Sequence, residues 1–153
     1  PTVLEASPRE NVLAKRARAL VNVRIHPRDN IAKVVQHARF AVDDPRVTVR
    51  GLKKDAAEPL PTSSVTSAGY KLLARTIRQV CPGVLVPPGL MVGMTDSRHY
   101  RHLTRDIYRF SLLRIKGKDS ERFHGIDERI GVKNYHEAIT FYAQLMRNAS
   151  GGQ

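Results

Sequence analysis

The sequence has one cysteine, Cys81, no tryptophan and few other aromatics, 6% of residues in all. One thiol cannot close an internal disulfide and cannot build a thiolate zinc site, so cysteine usage leaves the compartment open. No apolar run approaches the ~18 residues that a bilayer span requires. The opening stretch, PTVLEASPRENVLAKRARAL, shows no continuous apolar core of a secretory signal, although such a segment could have been removed or never included. There is no run of five or more Lys/Arg, no zinc-finger spacing and no internal repeat. Acid is scarce too. Fourteen Asp+Glu stand against 26 Lys+Arg, a formal net charge of +12. Three readings of that imbalance are open: solvated basic faces, attraction to a polyanion such as nucleic acid, or an acidic portion that lies elsewhere in a larger protein.

What is present suits a packed core, with 41% hydrophobic and 26% charged residues over 153 positions. After an irregular lead-in over residues 1–10, Ala17, Ala19, Val21, Val23 and Ile25 alternate with Arg16, Arg18, Asn22, Arg24 and His26. Period 2 of this kind predicts a long strand over residues 15–26 with one buried face. Pro27 stops it, and Asp29 or Asn30 can cap a helix. Ile31, Val34, Val35, Ala38, Ala41 and Val42 recur at helical spacing, and DDP ends that helix. Val47 and Val49 predict a second strand, which would complete a β-α-β unit. Residues 53–64, KKDAAEPLPTSS, are the best linker candidate. Val65, Ala68, Leu72, Leu73, Thr76, Ile77 and Val80 predict a helix capped by Ser63 or Ser64 and ended by CPG. The runs VLV, LMVGM and IYRFSLLRI read as strands of a buried sheet, and KGKDSERFHGIDERIG as a loop. Tyr135, Ala138, Ile139, Tyr142, Leu145 and Met146 predict a final helix, and SGGQ should fray. Each half has too few elements to cover its own apolar face. The chain therefore reads as a fragment or as one that needs a partner.

Three stretches, in order, carry a family pattern: NVLAKRARALVNVRIHPRD, GMTDSRHYRHLTRDIYRF and RFHGIDERIGVKNYHEAITFYAQLMRNA. Together they resemble the C-terminal segment of the di-zinc aminoacylase/carboxypeptidase metallopeptidase family, and within it carboxypeptidase S and related N-acyl-amino-acid hydrolases. The resemblance runs over about residues 10–148. It implies an α/β architecture with an α+β lid: residues 10–52 would be the C-terminal β-α-β half of a lid or dimerisation domain. Residues 53–153 would be the C-terminal part of a zinc-hydrolase catalytic domain. The family builds its two-zinc site from a His-x-Asp pair, a bridging Asp, a Glu-Glu pair whose first member is the general base, a further acid and one late His. No H-x-D and no E-E occurs in this sequence. Of that set only the late His has a counterpart, His124 in FHGIDE.

The resemblance then assigns roles. His124 would be a zinc ligand, since neutral imidazole binds zinc well but only as one of three or four groups. Arg98 would hold the substrate carboxylate through two parallel hydrogen bonds, which Lys cannot make. Thr95 would donate its hydroxyl to substrate, whereas Asp96 is closer to structural. Asn11 matches the Asn of the family's lid motif, which can donate to the developing oxyanion; Ala14 stands where the family commonly has Pro. For each residue a plainer reading stands beside this one: Thr95 or Asp96 as the cap of a short helical turn, Arg98 in water, His124 on the surface, Asn11 in a turn before a strand. His26 and His37 read as surface residues.

The expectation is part of a zinc-dependent amidohydrolase or carboxypeptidase, acting on an amide next to a free carboxylate. Two zinc ions would serve the complete enzyme, but this chain alone should be inactive and should not hold zinc tightly. Expected partners are a small N-acyl amino acid or peptide substrate, and either a second copy through the lid or a complementing N-terminal part. No membrane is expected. The alternative is a noncatalytic basic α/β module that binds nucleic acid or another anion.

Overall fold

The computed structural model describes residues 2–52, 56–93 and 95–151. Pro1 of the lead-in, residues 53–55 of the linker candidate, Met94 of the LMVGM run and residues 152–153 of the tail lie outside the described residues. The chain is mixed α/β and divides into two compact units, Pro1–Pro61 and Thr62–Gln153. The division falls within the proline-bearing stretch 53–64.

In the first unit, β1 (Val3–Glu5) pairs antiparallel with β2 (Arg18–Leu20), in the register Val3 to Leu20 and Glu5 to Arg18. The sequence pattern misleads here in two ways. The strand predicted over residues 15–26 is only three residues long, and its partner comes from the lead-in read as irregular. Beyond Leu20 the alternation continues, yet Val21 and Val23 remain 64% and 49% exposed. Period 2 makes a strand only where a neighbour offers a ladder and a covering face. Among the described residues of this unit, β1 supplies the one ladder and reaches no further.

Helix α1 (Ile31–Val42) follows its apolar spacing. Asn30, in extended backbone, accepts from Lys33 N at 2.9 Å and caps it. Asp43 ends it with φ 42° and donates its N–H to Arg39 O. The strand expected at Val47–Arg50 is not formed. Instead the Arg39 guanidinium donates Nε and Nη2, both at 3.2 Å, to Val49 O. One side chain thereby takes the carbonyl that a ladder would have used, and the expected β-α-β unit is absent.

The second unit is built on α2 (Ala68–Val80) and α3 (Val132–Ala149), which pack together. Ser67 caps α2, accepting from Tyr70 N at 3.1 Å. The predicted caps are engaged elsewhere. Ser63 Oγ donates to Ile107 O and accepts from Ile107 N, while Ser64 N donates to Asp106 Oδ1 at 2.7 Å. The core joins Ile77, Leu112 and Phe141, with Leu73, Phe110 and Leu145 around them. Phe141 is 1% exposed, and its ring lies 5.2 Å from that of Phe110 in a tilted pair. The apolar set predicted for α3 omitted Phe141. It named Ala138 and Leu145, which pack against the core, together with Tyr135, Ile139, Tyr142 and Met146, which are exposed. The helix has two apolar faces, and periodicity alone does not rank them.

Between the helices, fully buried Thr76 donates to Leu72 O at 2.9 Å and accepts from Asn148 Nδ2 at 2.8 Å. Asn148 also donates to Gln79 Oε1 at 2.7 Å. The hydroxyl is therefore satisfied despite its burial. The three runs read as sheet strands, residues 84–86, 90–94 and 107–115, form no ladder among the described residues. Leu85 is 91% exposed.

Phe141→Ala should cost about 3–5 kcal/mol, the usual penalty for emptying a packed aromatic site. Tyr142→Ala, one position along and on the exposed face, should cost less than about 1 kcal/mol. Urea unfolding of the two variants measures both, and equal losses would sink the assignment of faces.

Candidate functional site

The stretch after Met91 turns sharply. Thr95 has extended backbone, and a 3₁₀ turn, Asp96–Tyr100, follows it. Thr95 is the cap: its Oγ1 accepts from Ser97 N at 3.4 Å and lies 2.6 Å from Ser97 Oγ. Asp96 is not. Arg98 N donates back to Thr95 O at 3.2 Å, and Arg98 Nε donates to His99 Nε2 at 3.2 Å. The turn is fastened from outside by Arg109, which donates Nε to Ser97 Oγ and Nη1 to Met91 O, each at 2.9 Å. A guanidinium is suited to this because its donors form a rigid fork. Thr95 and Arg98 are thus held in one short turn, both exposed to solvent.

The segment leading away from this turn is fixed by side chains as well. The Tyr108 hydroxyl donates to Ser64 O and pairs with Ser67 Oγ, while its ring sits 5.9 Å from that of Tyr70. A methyl at Gly69 would come within 3.1 Å of the Tyr108 ring. Further on, Asn134 is 8% exposed and reads two backbone groups at once: Oδ1 accepts from Arg114 N and Nδ2 donates to Leu112 O, both at 2.9 Å. Beside it, Arg114 Nε donates to Glu137 Oε2 at 2.6 Å. That hydrogen bond holds the Glu137 carboxyl below its ordinary range and pushes the Arg114 guanidinium up.

His124 lies in the loop after the 3₁₀ turn Gly117–Arg122, and it is exposed. Its φ is 58°, and Asp127 follows with φ 71°, so two non-glycine residues in four occupy left-handed backbone. Such positions cost energy and persist only when the surroundings fix them. Part of the fixing is visible at Gly125, whose N–H donates to Arg122 O at 2.9 Å. A Cβ there would meet Glu121 O at 3.2 Å and Arg122 O at 3.3 Å. Asp127 is held by Arg129 Nη1 at 3.0 Å. Among the described residues, no group of three or more His, Cys, Asp or Glu comes together in a way that could hold a metal ion.

Comparison with known proteins identifies relatives over nearly the whole chain. The chain is 38% identical over 96% of its length to "Probable carboxypeptidase S-like 2" of Dictyostelium discoideum. It is 40% identical over 97% of its length to the N-fatty-acyl-amino acid synthase/hydrolase of Xenopus tropicalis, and 37% identical over 99% to that of Homo sapiens. The chain belongs to the carboxypeptidase S-like metallopeptidase family. It spans 28%, 29% and 30% of the length of those three relatives. No family model matches the chain, and no solved structure matches it.

For a carboxypeptidase S-like chain, the positions singled out from sequence are dispersed. Thr95 and Arg98 share one turn, and His124 sits in a separate loop of the same unit. Asn11 belongs to the other unit, exposed in a turn beside the Ser7 hydroxyl's bond to Arg9 O. Sequence reasoning missed the two residues that position these segments, Arg109 and Asn134. Asn134 does stand in the third of the family-like stretches, in VKNYHEA, and a buried Asn beside an ion pair is a recognisable backbone reader only once its neighbours are known.

The Glu137 carboxylate predicts a pH response. Its folded-state value is depressed, so its contribution is complete above the unfolded carboxylate range and is lost as pH falls through the lowered value. Glu137→Gln should therefore flatten the acid limb of the unfolding midpoint between neutral pH and about pH 3. Superimposable curves for variant and wild type would remove the pair from any role in anchoring residues 112–114.

Proposed function

We propose that this chain is one part of a zinc-dependent amidohydrolase or carboxypeptidase that cleaves an amide bond next to a free carboxylate, as in an N-acyl amino acid or a peptide C-terminus. The observation that carries the reading is the identity of 36–40%, over almost the entire chain, to proteins described as carboxypeptidase S-like or as N-fatty-acyl-amino acid synthase/hydrolases. In this reading Arg98 holds the substrate carboxylate and Thr95 donates to the substrate. Support comes from the turn itself. It is capped at Thr95, tied down by Arg109 and open to solvent, so a ligand can reach a guanidinium whose backbone is already ordered. Asn11, in the first unit, serves the oxyanion.

His124 is one ligand to zinc. The bound metal would polarise the scissile carbonyl and generate the attacking hydroxide. The described residues do not by themselves fit a zinc centre. The remaining ligands and the general base come from elsewhere in the complete protein, so no reaction step follows from this chain's residues alone. The first unit is the lid half, through which two copies associate. The basic-module alternative rests on the +12 charge, and it requires nucleic-acid binding that falls steeply with salt.

In the complete protein, Arg98→Lys should raise KM tenfold to a hundredfold, since one charged hydrogen bond is worth about 1.5–3 kcal/mol. Unchanged kinetics would return Arg98 to a solvated loop. The chain alone should show no amide hydrolysis with added zinc and no zinc retained through dialysis. Near-stoichiometric metal by elemental analysis, or turnover that His124→Ala abolishes, would overturn that expectation.

A further inference from the structure

The turn that carries Arg98 holds more cation than one carboxylate needs. Arg98, Arg101 and Arg105 are exposed, and residues 97–105 include no acid. Among the described residues, the Arg101 and Arg105 guanidinium groups have no hydrogen bond or ion pair. The neighbouring acids do not answer them. Asp106 accepts from Ser64 N at 2.7 Å, and no ion pair joins Asp96 to Arg101 or Arg105 among the described residues. The backbone explains why Asp96 stands apart. In a 3₁₀ turn, side chains at i and i+3 eclipse. Arg101 closes the turn with φ −59° and ψ −24°, inside the 3₁₀ range, so the register runs through it. Arg98 and Arg101 therefore share one edge, joined by Arg101 N donating to Arg98 O at 3.5 Å, while Asp96 and His99 share another.

Two like charges on one edge repel, and an anion within reach of both relieves that repulsion. The edge is already ordered, because Arg109 ties the turn at Ser97 and Met91, so little backbone freedom is lost when a ligand arrives. A lipid or polynucleotide surface is met by cations spread over a face. Here two stand one 3₁₀ turn apart on a single short element, which suits two anionic groups of one small molecule. We propose that Arg101 is a specificity residue that takes a second carboxylate on the substrate, so that the preferred substrate is an N-acyl derivative of an acidic amino acid, or a peptide that ends in one. The proposal rests on the reading in which Arg98 holds the carboxylate next to the scissile amide. Arg101 then holds the side-chain carboxylate of the same residue.

The test compares N-dodecanoyl-glutamate with N-dodecanoyl-glutamine on the complete protein, since the two differ by one charge and hardly in size. The proposal expects kcat/KM to favour the glutamate compound by at least about tenfold, the weight of one charge-assisted hydrogen bond. Arg101→Gln should bring that preference to within about twofold of parity, and Arg101→Lys should keep part of it. Arg105→Gln, off the shared edge, should leave most of it. Equal kcat/KM for the two compounds in the wild type overturns the proposal. So does an equal loss of preference in Arg105→Gln and Arg101→Gln, because the preference would then come from the general positive field. Arg101→Gln that keeps the preference but weakens adherence to phosphatidylserine vesicles overturns it too, since the cation would then serve a lipid surface. Binding of the two compounds by isothermal titration is scored separately from hydrolysis. An Arg101-dependent preference in binding without turnover keeps the second anion site and removes the functional reading, and turnover without any preference does the reverse.

Discussion

Side chains stand in for strands throughout this chain, and the rest of the structure depends on that substitution. Asn134 is the strongest case. Its amide presents one acceptor and two donors in a plane, the same groups that a neighbouring peptide would offer, and it uses them on Arg114 N and Leu112 O. Ser63 does the same for both backbone groups of Ile107. Tyr70 takes Val86 O at 3.0 Å, Arg109 takes Met91 O and Arg39 takes Val49 O. Each of these acceptors lies in a stretch whose pattern says strand. Backbone polar groups must be satisfied where water is excluded, and here a polar side chain from a helix, or from a neighbouring extended segment, meets the need. Asn134 also fixes the geometry of the core, because Leu112, whose carbonyl it holds, packs on Phe141 and Ile77.

This explains which parts of the fold were legible. Helices α1, α2 and α3 follow from spacing of apolar residues and from end signals, and those determinants are local: Asn30 caps α1 and Pro82 follows α2, although the α2 cap is Ser67 and not Ser63 or Ser64. A strand is not local. Alternation over residues 17–25 states which side chains could share a face, but the ladder requires a second segment in register. Among the described residues only Val3–Glu5 provides one, for three residues. The set predicted for α3 mixed core-facing and exposed residues for a related reason. Phe141 and Ile139 are both apolar, and only the position of α2 decides which one is buried.

The candidate site divides along the same line. That Thr95 and Arg98 share a turn was readable, because TDSR after an apolar run is a capping pattern. That Arg109 fastens this turn was not, because its contacts are to Ser97 and to the carbonyl of Met91, which is 18 residues away. His124 was singled out only through family resemblance. Its left-handed backbone, and the contacts that would crowd a side chain at Gly125, depend on where the preceding 3₁₀ turn places its carbonyls.

The acids carry a last argument about division of labour. Glu5 lies by Arg18, Asp29 by Lys33, Asp44 by Arg46, Asp119 by Arg122, Asp127 by Arg129 and Glu137 by Arg114. Asp106 and Glu58 accept from backbone N–H groups of Ser64 and Ile31. A metal ligand or a general base needs a carboxylate aimed into a shared site, and preferably one whose neighbours leave it free to change partners. These carboxylates are instead spent on ion pairs, caps and turns. Arginine, meanwhile, is in surplus, and a surplus of fixed guanidinium suits recognition of a carboxylate rather than activation of water. That division fits the proposed reading, in which this segment would serve the binding of a free carboxylate. Within the proposed reading, its basic balance would complement an acidic, metal-holding half supplied by other parts of the complete protein.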